Sequence, residues 1–280
     1  MRQRQRPPRR TPPTRRAPPP SRQTAWTGAV ASWYDALVGE GGSGYQREVV
    51  FPGVLRMLQL RPGMRVLDLA CGQGAFTREL ERLGVNALGV DASSDLIRAA
   101  RQRGGRATFK VLRAEQLHTL EGQGTFDAVV CILAIQNIEL LAPVMNGCAG
   151  LLRPGGKAIF VMTHPSFRIP RQSGWGEDTE RKLLYRRVDH YLSPLKVPIQ
   201  VHPGSAPNLV AWSFHRPLQD YVRALADAGL FIDAVEEWAS NKASQPGPRA
   251  RAENRARAEI PLFLALRAVR IPAVPTRAGG

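Results

Sequence analysis

The stretch Arg65-Val-Leu-Asp-Leu-Ala-Cys-Gly-Gln-Gly-Ala-Phe-Thr77 constrains this chain more than any other. Val66, Leu67 and Leu69 form a short apolar run that reads as a buried parallel strand. The run ends at Cys71-Gly72-Gln73-Gly74, and a helical pattern follows through Phe76, Leu80 and Leu83. Strand, glycine turn and helix open a nucleotide-binding βαβ unit. Glycine lets the backbone turn sharply and approach a ligand, and the helix N-terminus offers free N–H groups.

Two details bear on the nucleotide. A dinucleotide fingerprint wants G-x-G-x-x-G, but the third glycine position is Thr77. Asp68 near the strand end would repel a pyrophosphate and suits a ligand carrying an ammonium group. Asn86-Ala-Leu-Gly-Val-Asp91 reads as a second strand ending in a carboxylate, 19 residues after Gly72. Such a carboxylate can accept both ribose hydroxyls of an adenosine, in a nicotinamide cofactor as well as in other adenosyl ligands.

The pattern Val-Leu-Asp-Leu-Ala-Cys-Gly-x-Gly resembles the first motif of the class I S-adenosylmethionine-dependent methyltransferases. Further matches are the Phe126-Asp127 pair opening a fourth strand over Thr125–Ala134 and Leu152-Arg-Pro-Gly-Gly156 before a fifth strand over Ala158–Met162. The resemblance covers roughly residues 60–165. It implies an α/β fold: a Rossmann-like, seven-stranded, mostly parallel sheet with helices on both faces and an antiparallel final strand. It implies S-adenosylmethionine as cofactor, held by Tyr34, Asp68, Ala70, Cys71, Gly72, Gly74, Asp91, Ala92, Ala114, Glu115, Cys131 and Leu133. One departure stands out. The family commonly shows Asp-Ala-Glu-x-Leu where this chain has Arg113-Ala-Glu-Gln-Leu117. Arg has no acceptor, so the adenine edge falls to backbone at Ala114 and Glu115 or to the Glu115 carboxylate.

The flanks follow from composition. The chain has 280 residues and a formal net charge of +16. Residues 1–23 carry eight Arg, seven Pro and no acid, and residues 242–280 carry eight Lys or Arg against two Glu, so the middle holds only about +2. Residues 1–23 read as a disordered tail, residues 24–270 as the methyltransferase domain, and residues 271–280 as a flexible tail. Nucleic acid is a secondary partner for the basic ends, not the favoured one. No stretch approaches a membrane span or a signal peptide. Cys71, Cys131 and Cys148 show no metal spacing and suit a reducing, cytoplasmic setting. Oligomeric state is not legible.

Within the domain, residues 26–60 read as two helices, the second from Tyr45 to Leu60, and the resemblance implies that they close over the cofactor. Residues 163–216 follow the fifth strand and contain Trp175, Tyr185, Tyr191 and Trp212. So long a connection with so many aromatics reads as a substrate lid. Leu141–Leu152 reads as a helix stopped by a tight turn at Arg153–Lys157. Phe231–Trp238 and Ile260–Val269 read as a final antiparallel pair, with Arg249–Glu259 between them as a solvated helix or loop. Methyl transfer from a sulfonium asks the protein mainly to align the partners and exclude water. If the acceptor must lose a proton, His164 and His215 are the candidate bases. The expected activity is methyl transfer to a small molecule. The alternatives are an RNA or protein methyltransferase, a non-catalytic S-adenosylmethionine-binding protein, and a nicotinamide oxidoreductase, which Asp68 and Thr77 disfavour.

Overall fold

Largely apolar runs must be covered on both faces, and the central strands of this chain are built that way. The computed structural model describes residues 26–121, 124–200 and 210–271. Of the sequence-expected tails, all of residues 1–23 and all but the first residue of 271–280 lie outside them. Strands β1 (Arg65–Leu69), β2 (Asn86–Asp91), β3 (Thr108–Val111), β4 (Phe126–Ile132) and β5 (Leu152–Thr163) are parallel. Two later strands complete the sheet, β10 (Leu230–Trp238) and β11 (Phe263–Arg270), after two ribbons described below. The order across the sheet is β10-β11-β5-β4-β1-β2-β3, with β11 antiparallel to both neighbours. This is the seven-stranded Rossmann-like sheet the sequence implied.

Side chains alternate across a strand, so each apolar run feeds two cores. Leu67, Leu69, Val129, Phe160 and Met162 pack on one face with helices α5 (Leu141–Leu151) and α6 (Leu218–Asp227). Val66, Val130, Ile159 and Val161 pack on the other with α2 (Phe51–Leu58) and α3 (Ala75–Arg82). Helices α1 (Ala29–Val38), α4 (Ser94–Gln102) and α7 (Ala250–Glu259) complete the set. α4 is capped as its sequence suggests, with the Leu96 N–H donating to Ser93 Oγ.

Three local expectations change. The helix expected from Tyr45 to Leu60 opens with a wide turn over Gln46–Val50, in which the Phe51 N–H reaches back to the Gln46 carbonyl, before α2 begins. Pro52 has no N–H to give the Glu48 carbonyl, and the backbone widens there. The expected turn at Arg153–Lys157 is instead part of β5: Leu152 pairs with Phe126 and Lys157 with Ala128, and the extra residues bulge around Gly155 at φ +76°. Arg249–Glu259 contains a helix, α7, and β11 starts at Phe263 rather than Ile260.

Residues after β5 form two antiparallel ribbons, β6 (Ser173–Asp178) with β7 (Leu183–Val188) and β8 (Leu195–Gln200) with β9 (Val210–His215). The second packs Ile199 and Ala211 against Trp26, Val30 and Trp33 of the α1 region. The N-terminal helix and the post-β5 segment therefore share a small apolar cluster of their own.

α2 approaches Trp238 of β10 most closely at a glycine. A Cβ built on Gly53 would lie 2.4 Å from Cζ2 of Trp238, far inside contact distance. Gly53→Ala gains up to about 1 kcal/mol of helix propensity. Moving a buried indole costs more, so the variant is expected to lose a net 1–3 kcal/mol, on the order of other overpacked cores. Urea unfolding of the two proteins checks this.

Candidate active site

Strand order reverses between β1 and β4, and ligands of open α/β sheets bind beyond the carboxyl ends of strands at such a point. The turn after β1 is built to approach one. Ala70, Gly72 and Gly74 have φ of +55°, +57° and +80°, three left-handed residues in five. For Ala70 this conformation is strained, and strain of this kind gathers at functional sites. Leu133, just beyond β4, is held the same way at φ +54°, its N–H donating to the Val161 carbonyl at 2.7 Å.

Two carboxylates lie under this turn. Asp91 Oδ2 accepts the Gly72 N–H at 2.9 Å and Oδ1 accepts the Ser93 N–H at 2.8 Å. Asp68 Oδ2 accepts the Thr77 hydroxyl at 2.6 Å. Thr77, the residue that spoils a dinucleotide fingerprint, thus orients the acid that distinguishes this site. Asp68 is 2% exposed, and among the described residues no Lys, Arg or His pairs with either acid. Burial pushes the Asp68 carboxyl up to about 7; the Thr77 hydrogen bond opposes the shift and the charge of Asp91 adds to it. Burial also raises Asp91, against the N–H groups of Ser93 and Gly72.

The cleft above is lined by Tyr34, Gln46, Asp68, Ala70, Cys71 and Gln73, with Val38, Phe51, Ala75, Phe76 and Ile132 as its apolar wall. The Tyr34 ring stands over the turn, so that a Cβ on Gly72 would meet Cε1 at 3.2 Å. Burial raises the Tyr34 phenol well above its ordinary value, and the charge of Asp91 adds to this. The loop after α1 is tied down by the turn itself: Gln73 Nε2 donates to the Gly39 carbonyl at 2.6 Å, and Arg78 donates to the Gln73 and Glu40 carbonyls. Arg103 of the α4 end pairs with Asp35 at 2.7 Å, fixing α1 from below.

The sequence-derived residues divide by position. Tyr34, Asp68, Ala70 and Cys71 line the cleft, and Gly72, Gly74 and Asp91 form or brace its floor. Ala92 is half-buried beyond β2. Ala114 packs into the core below, and the Glu115 carboxylate is engaged by Arg113 at 3.1 Å. Cys131 is fully buried in the core on the opposite face of β4, and its neighbour Ile132 lines the cleft instead, as alternation along a strand requires. The two histidines do not line the cleft. His164 Nε2 lies 2.6 Å from Glu237 Oε1 while Nδ1 accepts the Ser166 N–H, and His215 Nε2 donates to the Tyr191 carbonyl at 2.7 Å. Burial lowers both imidazoles below their ordinary value. The sequence does not mark Gln46, Gln73 or Thr77 as site residues. Gln73 sits between two glycines of the motif, whereas nothing near Gln46 in sequence singles it out.

The residues present fit the cofactor implied by the resemblance. Buried carboxylates without cationic partners are costly. A ligand bringing an ammonium to Asp68 and hydroxyls to Asp91 supplies the missing partners.

Comparison with known proteins agrees. A family model described as a methyltransferase domain matches residues 67–160. The ubiquinone biosynthesis O-methyltransferase of Xanthomonas oryzae pv. oryzae is 30% identical over 137 residues, 48% of this chain and 57% of that protein, so the match spans little more than half of the curated relative. The crystal structure of an S-adenosylmethionine-dependent methyltransferase from Mesorhizobium loti superposes with a TM-score of 0.63 at 28% identity, covering 80% of this chain and 99% of the other. The glycopeptide N-methyltransferase MtfA, solved with S-adenosyl-L-methionine, shares the fold with a TM-score of 0.54 at 19% identity, over 79% and 92% of the two chains. With the glycine turn, the paired acids and the sheet order all in place, these matches support a class I S-adenosylmethionine-dependent methyltransferase, with a methyltransferase domain over residues 67–160.

Proposed function

We propose that this chain transfers a methyl group from S-adenosylmethionine to a small-molecule acceptor. The observation that carries the proposal is the buried pair Asp68 and Asp91, without a cationic partner among the described residues, beneath the strained turn of Ala70–Gly74. When bound, the cofactor supplies an electrophilic methyl carbon on a sulfonium, open to in-line displacement. The chain's own residues do the rest. Asp68, set by Thr77, would receive the amino-acid end, and the turn backbone would lie against it. Asp91 would take the ribose hydroxyls. Tyr34, Gln46 and Phe51 close the opposite side and keep water from the reacting atoms.

A small acceptor is supported by the β8–β9 ribbon, which packs Ile199 and Ala211 onto the tryptophans of the α1 region, and by the low charge of the middle of the chain. The named role of the curated relatives, O-methylation in ubiquinone biosynthesis, is of the same kind. Alignment of the two partners accounts for such a reaction without a general base. The bonds of His164 and His215 hold the residues that follow β5.

Incubation with methyl-labelled cofactor and a panel of hydroxylated and amino metabolites tests this. Label transfer to a small compound is expected. Tight S-adenosylhomocysteine binding without transfer to any metabolite, RNA or protein would point to a binding protein instead. Deleting residues 1–23 is expected to leave turnover on a small acceptor within about twofold, because that segment contains almost nothing apolar with which to join a core. A large loss in a steady-state assay at moderate ionic strength would favour an anionic polymer as substrate.

A further inference from the structure

The residues just after β5 bring together two guanidinium groups that have no acid to neutralise them. Arg168 and Arg186 each lie over the Trp175 ring, both 5.3 Å from its centroid. Arg186 is fixed from behind, its Nε donating to the Phe167 carbonyl at 2.6 Å and a terminal nitrogen to Ser173 Oγ at 3.0 Å. Arg168 is one turn beyond His164, its own N–H bonded to the His164 carbonyl at 2.8 Å. The Arg168 Nε is buried and has no hydrogen-bond partner. Among the described residues neither arginine has a carboxylate within salt-bridge distance; the nearby Glu237 is taken by His164. Burial, and after it the charge of Arg186, works against the positive charge of Arg168.

Two partly buried like charges held on one aromatic ring are an unfavourable arrangement unless something anionic joins them. A guanidinium fork matches a planar carboxylate bidentately, and the exposed face of Trp175 offers apolar area beside it. The place is right for an acceptor. Arg168 lies five residues beyond the carboxyl end of β5, and ligands of open α/β sheets bind beyond the carboxyl ends of the strands. Resting on the methyltransferase reading above, we propose that Arg168 and Arg186, arrayed on Trp175, bind a carboxylate carried by the methyl acceptor. The post-β5 segment then selects acidic acceptors, and the cleft over Asp68 selects the cofactor.

Calorimetric titration of the full chain saturated with S-adenosylhomocysteine tests this with benzoate, its neutral counterpart benzamide, and inorganic phosphate. Benzoate is expected to bind and benzamide not to. Arg168→Met should weaken benzoate at least tenfold, Arg168→Lys should restore part of it, and S-adenosylhomocysteine affinity should stay within about twofold in both. Among the described residues Arg168 makes no side-chain hydrogen bond, so these variants should fold, and thermal melts verify that they do. Equal benzoate affinity in wild type and Arg168→Met overturns the proposal, as does a wild type that ignores benzoate while holding S-adenosylhomocysteine. Binding of phosphate alone overturns the assignment to a carboxylate. Failure of the wild type to bind S-adenosylhomocysteine would instead remove the methyltransferase reading on which the proposal rests.

Discussion

Replacing Asp68 with Asn is expected to weaken cofactor binding at least tenfold, about 1.4 kcal/mol, while making the empty protein more stable at alkaline pH. The two effects share one cause. Asp68 is a fully enclosed carboxyl bonded by the hydroxyl and the backbone N–H of Thr77, and burial pushes its pKa up to about 7 from an ordinary 3.8. A group whose folded pKa is raised gives its full stability below the unfolded value and loses it as pH rises through the folded one. The wild type therefore loses stability between about pH 4 and pH 7, by up to roughly 4 kcal/mol for a shift of this size. Asn cannot ionise and can still accept the Thr77 hydroxyl. Its melting temperature should exceed that of wild type at pH 8, and the difference should vanish toward pH 4. A cationic ligand favours the ionised acid, so wild-type affinity for S-adenosylhomocysteine should rise from pH 6 to pH 7.5, and the variant should lose that dependence. Calorimetry and thermal melts across the same pH series read both effects. Unchanged affinity in a folded Asp68→Asn protein would contradict the site.

Gly72→Val should be as damaging to binding and should also cost stability. The position has φ +57°, where a β-branched residue is strained by about 1–3 kcal/mol. Its Cβ would stand 3.2 Å from Tyr34 Cε1, so the valine methyl groups press on the ring that closes the cleft. The same residue donates its N–H to Asp91. Displacing the backbone there disturbs turn and acid together. At least a tenfold loss of S-adenosylhomocysteine affinity is expected by titration, with a smaller loss for Gly72→Ala. Adding Tyr34→Ala to Gly72→Val should recover the crowding part of the destabilisation and leave the backbone strain, which urea unfolding can resolve.

Much of the cofactor site is legible in the amino-acid sequence alone. β2 has the bounds the sequence suggests, and the turn, Asp68 and Asp91 lie where their spacing puts them. Each of these is a local matter. Apolar periodicity, a cap at Ser93 and glycine at positive φ are decided within a few residues. What only the tertiary structure decides involves partners remote in the chain or the side a residue faces. Gln46 enters the cleft from the wide turn that precedes α2. Cys131 turns into the core and Ile132 into the cleft, a matter of strand phase at the end of β4. His164 meets Glu237 across 73 residues. Arg168 and Arg186 converge on Trp175 only once β6 and β7 pair. Short-range steric and hydrogen-bonding preferences belong to the sequence by itself. The pairing of distant charges depends on how sheet and ribbons pack, and no local pattern encodes it.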